Sequence, residues 1–521
     1  MTTLLSRLRR EQRGMALVLA LGMLVTLAIT VTGIIEYTSS NSRAAEVNHG
    51  RQDASSIAEA GVNAAYSVLN YWDTTTNAGN NASDPQLLGC NVAGTSCTPR
   101  CVGVVVSCPS ANADGVAGTA SYQGTYDVVK AVWTITSTGY ARNPTGAATI
   151  KKTIKATSAI VADINNPANV SAWNHLYSTA PQGAGCEVDI TNNNVYIDTP
   201  MYVTGDLCLS GVYDRIWEQT GGQPVDVRIG GKLVLAGANT SVGYKDPWNN
   251  VFPITSAEIA QGCATTSTGA PVACTNPPFS WYVRSTGPFV AVAPPQVTDA
   301  DADNMYNKAD LGPKSPCKAG TSPAGLAAAT FDSNTARDNS VATTFTLTPA
   351  YSYSCQSASG TGTLAWDDTT NQLTISGSVF IDGSMQITQS GSYTGMGSIY
   401  LSGSFTMGGY ALAFCAVPSC VFGHWDPNTR MLMIVALGSG TAININGGLD
   451  IFQGSLFANP YSTTALNGAS AYVQGPLVSG KFQFSQYTLI QPLPTINKLP
   501  PGAPLAVNAR ATPQPPVLTS G

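Results

Sequence analysis

Four aspartates in the stretch DADADNMYNKAD, residues 299–310, have the spacing of a metal-binding loop. They match positions one, three, five and twelve of an EF-hand calcium loop, and they are Asp299, Asp301, Asp303 and Asp310. However, Asn304 stands where glycine makes the sharp turn, and Asp310 replaces the bidentate glutamate. Because carboxylates also favour the first turn of a helix, we favour an acidic helix start and keep calcium as the alternative.

The cysteines are the second set of side chains that could do chemistry. Zinc sites need tight Cys-x-x-Cys pairs or Cys/His clusters, and the nearest approach to one is Cys97-x3-Cys101. An even number of cysteines in sequence-near couples favours disulfides formed in an oxidising compartment. The twelve disulfide candidates are Cys90, Cys97, Cys101, Cys108, Cys186, Cys208, Cys263, Cys274, Cys317, Cys355, Cys415 and Cys420.

One pairing can be predicted individually. Cys208 lies between Leu207 and Leu209, so its side chain points away from the core that the leucines face. Cys186 lies 22 residues earlier, which is about one turn of a repeating β structure. Neighbouring strands lie about 4.8 Å apart, within the reach of a disulfide, so we predict a Cys186–Cys208 bond.

Other catalytic patterns are weak. The chain lacks a Gly-x-Ser-x-Gly elbow and a His-Glu-x-x-His motif. GPLVSGKF has phosphate-loop spacing, but Phe482 replaces the Ser or Thr that would hold magnesium. The net charge is −5, charged residues make up 11% of the chain, and the sequence has no basic run. No nucleic-acid partner is therefore inferred. We predict that the protein is not an enzyme.

The N-terminus predicts a membrane helix. Four arginines precede a stretch, Gly14 to Ile35, that has no charged side chain. Residues 15–35 would span about 31 Å as a helix, which matches a bilayer core of about 30 Å. The basic flank should stay cytoplasmic and place the rest of the chain outside. A stripe of small and apolar residues then continues at helical spacing, so one helix is predicted over residues 15–70.

These N-terminal residues resemble a known family. The leader ending QRG, the apolar run beginning at Met15 and the stretch AEAGVNAAYSVL are similar to PilX-like minor pilins of the type IV pilin superfamily. The resemblance implies that a prepilin peptidase cuts after Gly14 and that Met15 is then methylated. The helix, which includes Leu19, Gly22 and Gly33, would first lie in the cytoplasmic (inner) membrane and then enter a filament with other pilins and the pilus assembly machinery.

One departure from the family pattern is informative. Major pilins carry a glutamate five residues into the mature chain, where this sequence has Leu19. PilX-like pilins and the tip pseudopilin of type II secretion also lack that glutamate. The resemblance therefore implies a minor or tip position, with the outer part displayed on the pilus or cell surface. The surface ligand is unknown.

The predicted fold is α+β and mainly β. A pilin helix is followed by a small antiparallel sheet, with NPTG as the turn between two alternating strands. Beyond residue 162, short apolar doublets favour a β-solenoid over an antiparallel sandwich, and six apolar residues from Ile375 to Phe405 recur every six residues. The predicted segments are 1–14 leader, 15–70 helix, 71–162 pilin-like loop and sheet, 163–243 first solenoid block, 244–368 cysteine-containing insertion, 369–490 second block, and 491–521 proline-rich, poorly packed tail.

Three classes of function remain open from the sequence. The favoured one is a minor pilin displaying a disulfide-stabilised β-rich domain for pilus assembly or adhesion. The second is a polysaccharide-processing enzyme on a β-helix, but the doublets lack a repeated set of Asp, Lys or Arg. The third is a membrane-anchored surface protein that never enters a filament, and leader processing separates it from the first.

Overall fold

The chain forms two compact units. The first comprises residues 1–162 and 511–521, and the second comprises residues 163–510, so the predicted boundary after residue 162 coincides with the end of the first unit's main segment. The structure is a computed structural model, and it describes residues 2–70, 100–103, 117–127, 132–162, 170–180, 186–218, 224–275, 277–309, 318–319, 337, 345–346, 352–357, 360–417, 420–421, 424–468, 470–484, 487–506 and 511–519.

The first unit contains one long helix, α1 (Thr2–Asn70), which includes the predicted helix over residues 15–70 and also extends through the predicted leader. No proline interrupts it, and its second half carries the stripe of small residues. Ala54, Ala58, Ala65 and Leu69 in this stripe are buried, whereas polar side chains between them, such as those of Glu59 and Asn63, are exposed. The second half is therefore amphipathic and packs through a narrow face.

An antiparallel sheet packs against this face of α1. Its strands are β1 (Arg100–Gly103), β2 (Thr119–Asp127), β3 (Val132–Ala141) and β4 (Ile150–Ala162). Strands β3 and β4 form the predicted hairpin, with Ala141 opposite Ile150 at the NPTG turn. Along β3, Trp133 and Ile135 are buried on the face towards α1. The sheet therefore follows the strand alternation visible in the sequence.

Glycine allows α1 and β3 to approach closely. A Cβ atom at Gly139 would lie 2.1 Å from the carbonyl oxygen of Ala54 and 2.5 Å from the backbone nitrogen of Ala58. On the helix side, a Cβ atom at Gly61 would lie 2.2 Å from the Ser137 hydroxyl oxygen. Any side chain at these two glycines would separate the layers. The small-residue stripe thus sets the distance between helix and sheet.

The C-terminal tail differs from the predicted poorly packed segment. Strands Ala511–Pro513 and Val517–Thr519 both pair antiparallel with β4, and the Tyr66 hydroxyl donates to the Pro513 carbonyl. In the second unit, Leu493, Ile496 and Leu499 are buried. Proline removes a backbone donor but leaves the carbonyl and the apolar ring, so a proline-rich segment can still pack.

The second unit is built mainly from three parallel ladders of short strands. The first ladder contains Leu176–Ser178, Met201–Val203, Asp226–Ile229, Ile254–Ile259, Val283–Gly287, Gln372–Ile381, Gly391–Leu401, Met431–Ala436, Ser455–Ala458 and Leu477–Ser479. The second contains Val188–Ile190, Leu207–Leu209, Lys232–Leu235, Gly262–Ala264, Phe345–Thr346, Met385–Ile387, Phe405–Met407, Thr441–Ile445, Thr463–Leu466 and Lys481–Phe484. The third contains Tyr196–Ile197, Arg215–Ile216, Ser241–Val242, Ala413–Ala416, Ile451–Gln453, Tyr472–Gln474 and Leu489–Ile490.

The chain passes through the ladders in turn, and we call one such passage a circuit. Most circuits add one strand to each ladder, whereas the long strand Gly391–Leu401 pairs both with Ala413–Ala416 of the third ladder and with Met431–Ala436 of the first. Met385 pairs with Phe405 in the next circuit, which makes the repeat there 20 residues and not six. The six residues at the six-residue spacing are nevertheless all buried: Ile375, Ile381, Ile387, Tyr393, Ile399 and Phe405. These largely parallel sheets are consistent with a β-helix-like domain.

The two predicted blocks join into one stack. Leu477 in the last circuit of the second block pairs with Leu176 in the first block, and Leu489 pairs with Tyr196. The first block continues to the strand Val283–Gly287, so it is longer than the predicted 163–243. The predicted insertion from residue 244 is correspondingly shorter. The strand Ile254–Ile259 in this segment is not evident from the sequence, because its residues alternate poorly in hydrophobicity.

Other elements lie around the stack. They are the 3-10 helix Ser171–Asn174, helix α2 (Asp299–Ala309), and the strands Tyr244–Lys245, Val251–Phe252, Pro295–Gln296, Lys318–Ala319, Tyr353–Gln356, Gly362–Asp367 and Leu505–Ala506. Helix α2 and the proline-rich segment cover the first ladder. Phe380 packs against Tyr306 of α2, with ring centroids 5.4 Å apart. The Ser378 hydroxyl donates to Pro501 at 3.0 Å, so Ser378 is buried and is not the exposed gap residue that a six-residue repeat implies.

Candidate functional site

Residues 15–37 of α1, called its first half below, form an apolar helix that no described part of the chain covers. Its large apolar side chains from Met15 to Tyr37 are exposed, and Leu19 is 60% exposed. It is the described helix that is long and apolar enough to cross a membrane by length and composition, with a mean hydropathy of 2.4 and none of that window buried. Burying this surface in lipid or against other apolar helices would remove it from water.

The polar groups within this segment are satisfied internally. The hydroxyl of Thr26 donates to the Gly22 carbonyl at 2.8 Å, and Thr30 and Thr32 bond the carbonyls four residues before them. These bonds to the helix's own carbonyls leave none of the three hydroxyl donors unpaired in apolar surroundings, which could not accept a hydrogen bond. A Cβ atom at Gly22 or Gly33 would meet nothing within 4 Å. These two glycines therefore leave shallow notches on an otherwise bulky surface.

The predicted cleavage junction lies within α1. The helix runs through Gly14 and Met15 without a break, and the side chains before Met15 lie outside the described part of the chain. The bond after Gly14 therefore belongs to a regular helix. Cleavage there remains a prediction from the sequence.

Three disulfides each join two cysteines that follow one another in the order of cysteines along the sequence. The predicted Cys186–Cys208 bond is present, with Cα atoms 5.7 Å apart, and it links adjacent circuits of the second ladder because Asp189 pairs with Cys208. The other two bonds are Cys263–Cys274 and Cys415–Cys420. Cys355 is also disulfide-bonded. The remaining candidates, Cys90, Cys97, Cys101, Cys108 and Cys317, have side chains outside the described residues.

The acidic run forms the start of α2, which confirms the favoured helix-start interpretation. Thr298 and Asp301 form a reciprocal cap, with the Thr298 hydroxyl donating to Asp301 at 2.7 Å and the Asp301 N–H donating to Thr298 at 3.2 Å. Arg337 contacts Asp303 at 2.7 Å and Asp299 at 3.4 Å. Asp310 lies outside the described residues.

On the helix, Asp299 and Asp303 are four residues apart and share a face, but Asp301 does not face them. The three carboxylates therefore do not surround one point as they would in a calcium loop. Within the described ranges, no group of three or more His, Cys, Asp or Glu side chains is placed to hold a metal. The acidic run is therefore explained by helix capping and by its pairing with Arg337.

Two buried carboxylates were missed by the sequence reasoning. Asp214 accepts the Val195 N–H at 3.1 Å, and Asp450 accepts the Leu412 N–H at 3.0 Å, each from the preceding circuit at the corner that enters the third ladder. Burial raises the pKa of Asp214 to about 7, although bonds from the Val195 and Gly211 backbones partly offset this, and the nearby Asp189 adds to it. Burial also raises the pKa of Asp450.

A repeated signal in the sequence marks these two corners. GVYDRI at 211–216 and GGLDIF at 447–452 share a glycine, a bulky residue, an aspartate and an apolar strand residue at the same spacing. A Cβ atom at Gly211 or Gly447 would lie within 2.5 Å of the aspartate that follows. The glycine thus makes room for a carboxylate that ties one circuit to the next, which is a structural role.

Comparison with known proteins gives one similar structure. No protein-family profile matches the chain, and no curated protein matches it. Among solved structures, the crystal structure of the competence-associated pilin ComZ from Thermus thermophilus is 14% identical, with a TM-score of 0.37, over 90% of this chain and 97% of that chain.

Proposed function

We propose that this protein is a pilin-like subunit and, more narrowly, a PilX-like minor pilin of the type IV pilin superfamily. The observation that supports this most is the division of α1: its first half is apolar and exposed, and its second half is buried against a small antiparallel sheet. A free apolar half suits a segment that exchanges one apolar environment, the membrane, for another, the core of a filament.

In this proposal the leader, residues 1–14, stays in the cytoplasm and the apolar segment of α1 crosses the cytoplasmic membrane. The sheet of the first unit and the whole second unit lie beyond it. Arginines before the apolar segment favour that orientation. The disulfides of the second unit agree with an oxidising compartment. Prepilin peptidase, other pilins and the assembly machinery are the proposed partners.

The second unit is proposed to be a β-solenoid that the pilus displays, near its tip, for assembly or adhesion and without an enzymatic activity. The absence of the glutamate at Leu19 supports a minor rather than a bulk subunit. The chain leaves the first unit after β4 and returns to pair with the same strand. A displayed unit held by both of its ends resists detachment better than one held by a single linker.

Leader processing tests the proposal. We expect the mature chain, purified from cells that contain a prepilin peptidase, to begin at a methylated Met15 by intact-mass analysis. Substituting Gly14→Asp should leave the uncut form in the membrane, whereas Gly22→Ala, in open space on the same helix, should be processed normally. An intact residue 1, or a cut beyond Ile35, would exclude the pilin assignment.

Filament membership needs a separate measurement. We expect part of the processed chain to appear in pili sheared from the cell surface, and the amount should fall to background in cells that lack the major pilin. A chain that is cut after Gly14 but remains entirely in the membrane would contradict the filament role.

A further inference from the structure

The three ladders of the second unit differ in what lies over their outer faces. On the first ladder, Tyr177 donates to the Val292 carbonyl at 2.6 Å and Tyr400 donates to the Gly502 carbonyl at 2.5 Å, so later segments of the chain cover it. The second ladder carries short polar groups such as Asp189 and Ser210, which bond each other at 2.8 Å. The third ladder carries large side chains.

Four consecutive circuits of the third ladder present large outward residues. Cα pairing aligns them in one column, and the residues that follow them point inward and are fully buried. The column consists of Tyr472, Leu489, Tyr196 and Arg215, all of which are partly exposed. Because strands in a sheet lie about 4.8 Å apart, these side chains form a flat strip along the stack.

A ridge of residues in the left-handed conformation runs beside this column. Tyr487, Asn194 and Tyr213 precede the column residues by two positions on three successive circuits, with φ of 61°, 59° and 64°. Glycine and asparagine adopt this conformation most readily, whereas tyrosine pays a steric penalty for it. The two rings are nevertheless 52% and 44% exposed. Asn239, Ala411 and Leu449 have the same conformation two positions before other strands of the third ladder, so the left-handed turn belongs to this corner of the stack. Tyr213 and Tyr487 differ from these residues in placing large, exposed aromatic rings there.

Arg215 lies among aromatic rings. Its guanidinium is 4.1 Å from the ring centroid of Tyr244, 5.8 Å from that of Tyr196 and 6.0 Å from that of Tyr213. Within the part of the chain that the structure describes, no carboxylate forms an ion pair with Arg215. A planar guanidinium without a counter-ion is suited to bind a carboxylate through two parallel hydrogen bonds.

We propose that this surface, formed by Tyr487, Tyr472, Tyr196, Tyr213 and Arg215, binds an extended polysaccharide that carries carboxylates, such as a polyuronate. Aromatic rings pack against the apolar faces of sugar rings, and tyrosine hydroxyls bond sugar hydroxyls. Tyr487 and Tyr213 are two circuits apart, about 9.6 Å, a distance that two linked sugar rings can span. Arg215 pairs with a carboxylate at one end of the strip.

A purely structural role would explain only part of this arrangement. Arg215 could be a clamp that holds three tyrosine rings, but Tyr487 lies two circuits away from it and stacks on no described ring. Tyr487 therefore separates the two explanations. A clamp predicts that Tyr487 is dispensable for binding, whereas a saccharide strip needs it.

The proposal deepens the proposed function, since it rests on that function for exposure at the cell surface. Binding by the purified chain does not require leader processing, so a failure of polysaccharide binding can be distinguished from a failure of the pilin assignment. The probe is a polygalacturonate oligomer titrated into the full chain in detergent, with a neutral dextran of equal length as the comparison. We expect binding of polygalacturonate only, weakening as salt increases.

Variants assign the binding to the strip. Tyr213→Asn and Tyr487→Asn remove the rings but keep the backbone, because asparagine adopts the left-handed conformation readily. Each should weaken binding about tenfold, which is about 1.4 kcal/mol. Arg215→Gln should abolish the salt dependence. The matched control is Tyr461→Asn, a tyrosine that is 88% exposed elsewhere on the unit and should bind normally. Absence of polygalacturonate binding, equal binding of dextran, or normal binding by the Tyr487 variant would each overturn the proposal.

Discussion

In the first unit, β3 meets β4 across a short turn, with Ala141 opposite Ile150. In the second unit, the closing contact joins Phe482 to Val188, which lies far earlier in the chain. Strands β1 to β4 of the first unit pair with their neighbours along the chain, and the distant strands Ala511–Pro513 and Val517–Thr519 are added at the edge that β4 forms. The second unit has one continuous core only when its last circuit pairs with its first. A substitution that destabilises one block should therefore destabilise both.

The largest expected effect is from Ile381→Asp in the second unit. Ile381 is 1% exposed and pairs with Leu401 within the first ladder, so aspartate would bury an unpaired charge. We expect the free energy of unfolding of this unit to fall by about 4 kcal/mol or more. Hydrogen exchange measured by mass spectrometry should accelerate in peptides of both blocks, while peptides of β3 and β4 keep their protection.

The matched control lies on the same strand. Thr374 is exposed, so Thr374→Asp places the same charge on Gln372–Ile381 without burying it. Its exchange rates should resemble those of the unchanged protein. Equal acceleration by both variants would mean that the inward and outward positions are wrong, and acceleration confined to the second block would contradict a shared core.

The comparison also explains which features could be predicted from the sequence. The helix follows from apolar residues spaced three to four apart, and the hairpin follows from alternation with a period of two. The Cys186–Cys208 bond follows from a spacing of about one circuit, so all three depend on residues near each other in the sequence. The joining of the two blocks depends on pairs such as Leu477 with Leu176, and no local pattern specifies them. The even spacing from Ile375 to Phe405 identifies inward residues correctly but leaves the circuit length open, since any even spacing keeps a residue on one face.

The surface features were harder to predict for a related reason. Tyr213 and Tyr487 occupy equivalent corner positions only after the stack brings their circuits together. Their left-handed backbone conformation cannot be predicted from the sequence, because tyrosine does not favour it. The corner aspartates could have been found, because GVYDRI and GGLDIF repeat the same order of residue types. The proline content of the tail predicts poor packing, whereas its apolar residues between the prolines, such as Leu493 and Ile496, are buried.

A second prediction tests the first unit in the same way. Gly139→Ala would place a Cβ atom 2.1 Å from the Ala54 carbonyl oxygen, a backbone atom that cannot rotate away. We expect a loss of about 1 to 3 kcal/mol from overpacking, seen as faster exchange in the second half of α1 and in β2 to β4. Ladder peptides should be unaffected.

The control for this change is Thr138→Ala on the opposite face of β3. The Thr138 hydroxyl bonds Thr153 at the surface, at 2.9 Å, so its loss should change exchange little. Loss of protection in the ladders of the Gly139 variant would show that the two units do not unfold independently, contrary to the comparison.

The third prediction concerns Asp214, whose carboxylate ties two circuits of the second unit together. Its folded pKa is raised to about 7, mainly by burial, against about 3.9 for an unfolded aspartate. Between these pH values the folded chain retains a proton that the unfolded chain releases. The free energy of unfolding therefore falls as the pH rises from about 4 to about 7, and it does not recover above that range.

Asparagine at this position can still accept the Val195 N–H but does not titrate. The Asp214→Asn variant should therefore match the unchanged protein in melting temperature at pH 4.5 and exceed it at pH 8, with the gap opening between these values. The first unit should show no such difference by hydrogen exchange at either pH. A constant gap across this range would mean that the Asp214 carboxylate is already ionised at low pH, and that burial in the stack does not hold its proton.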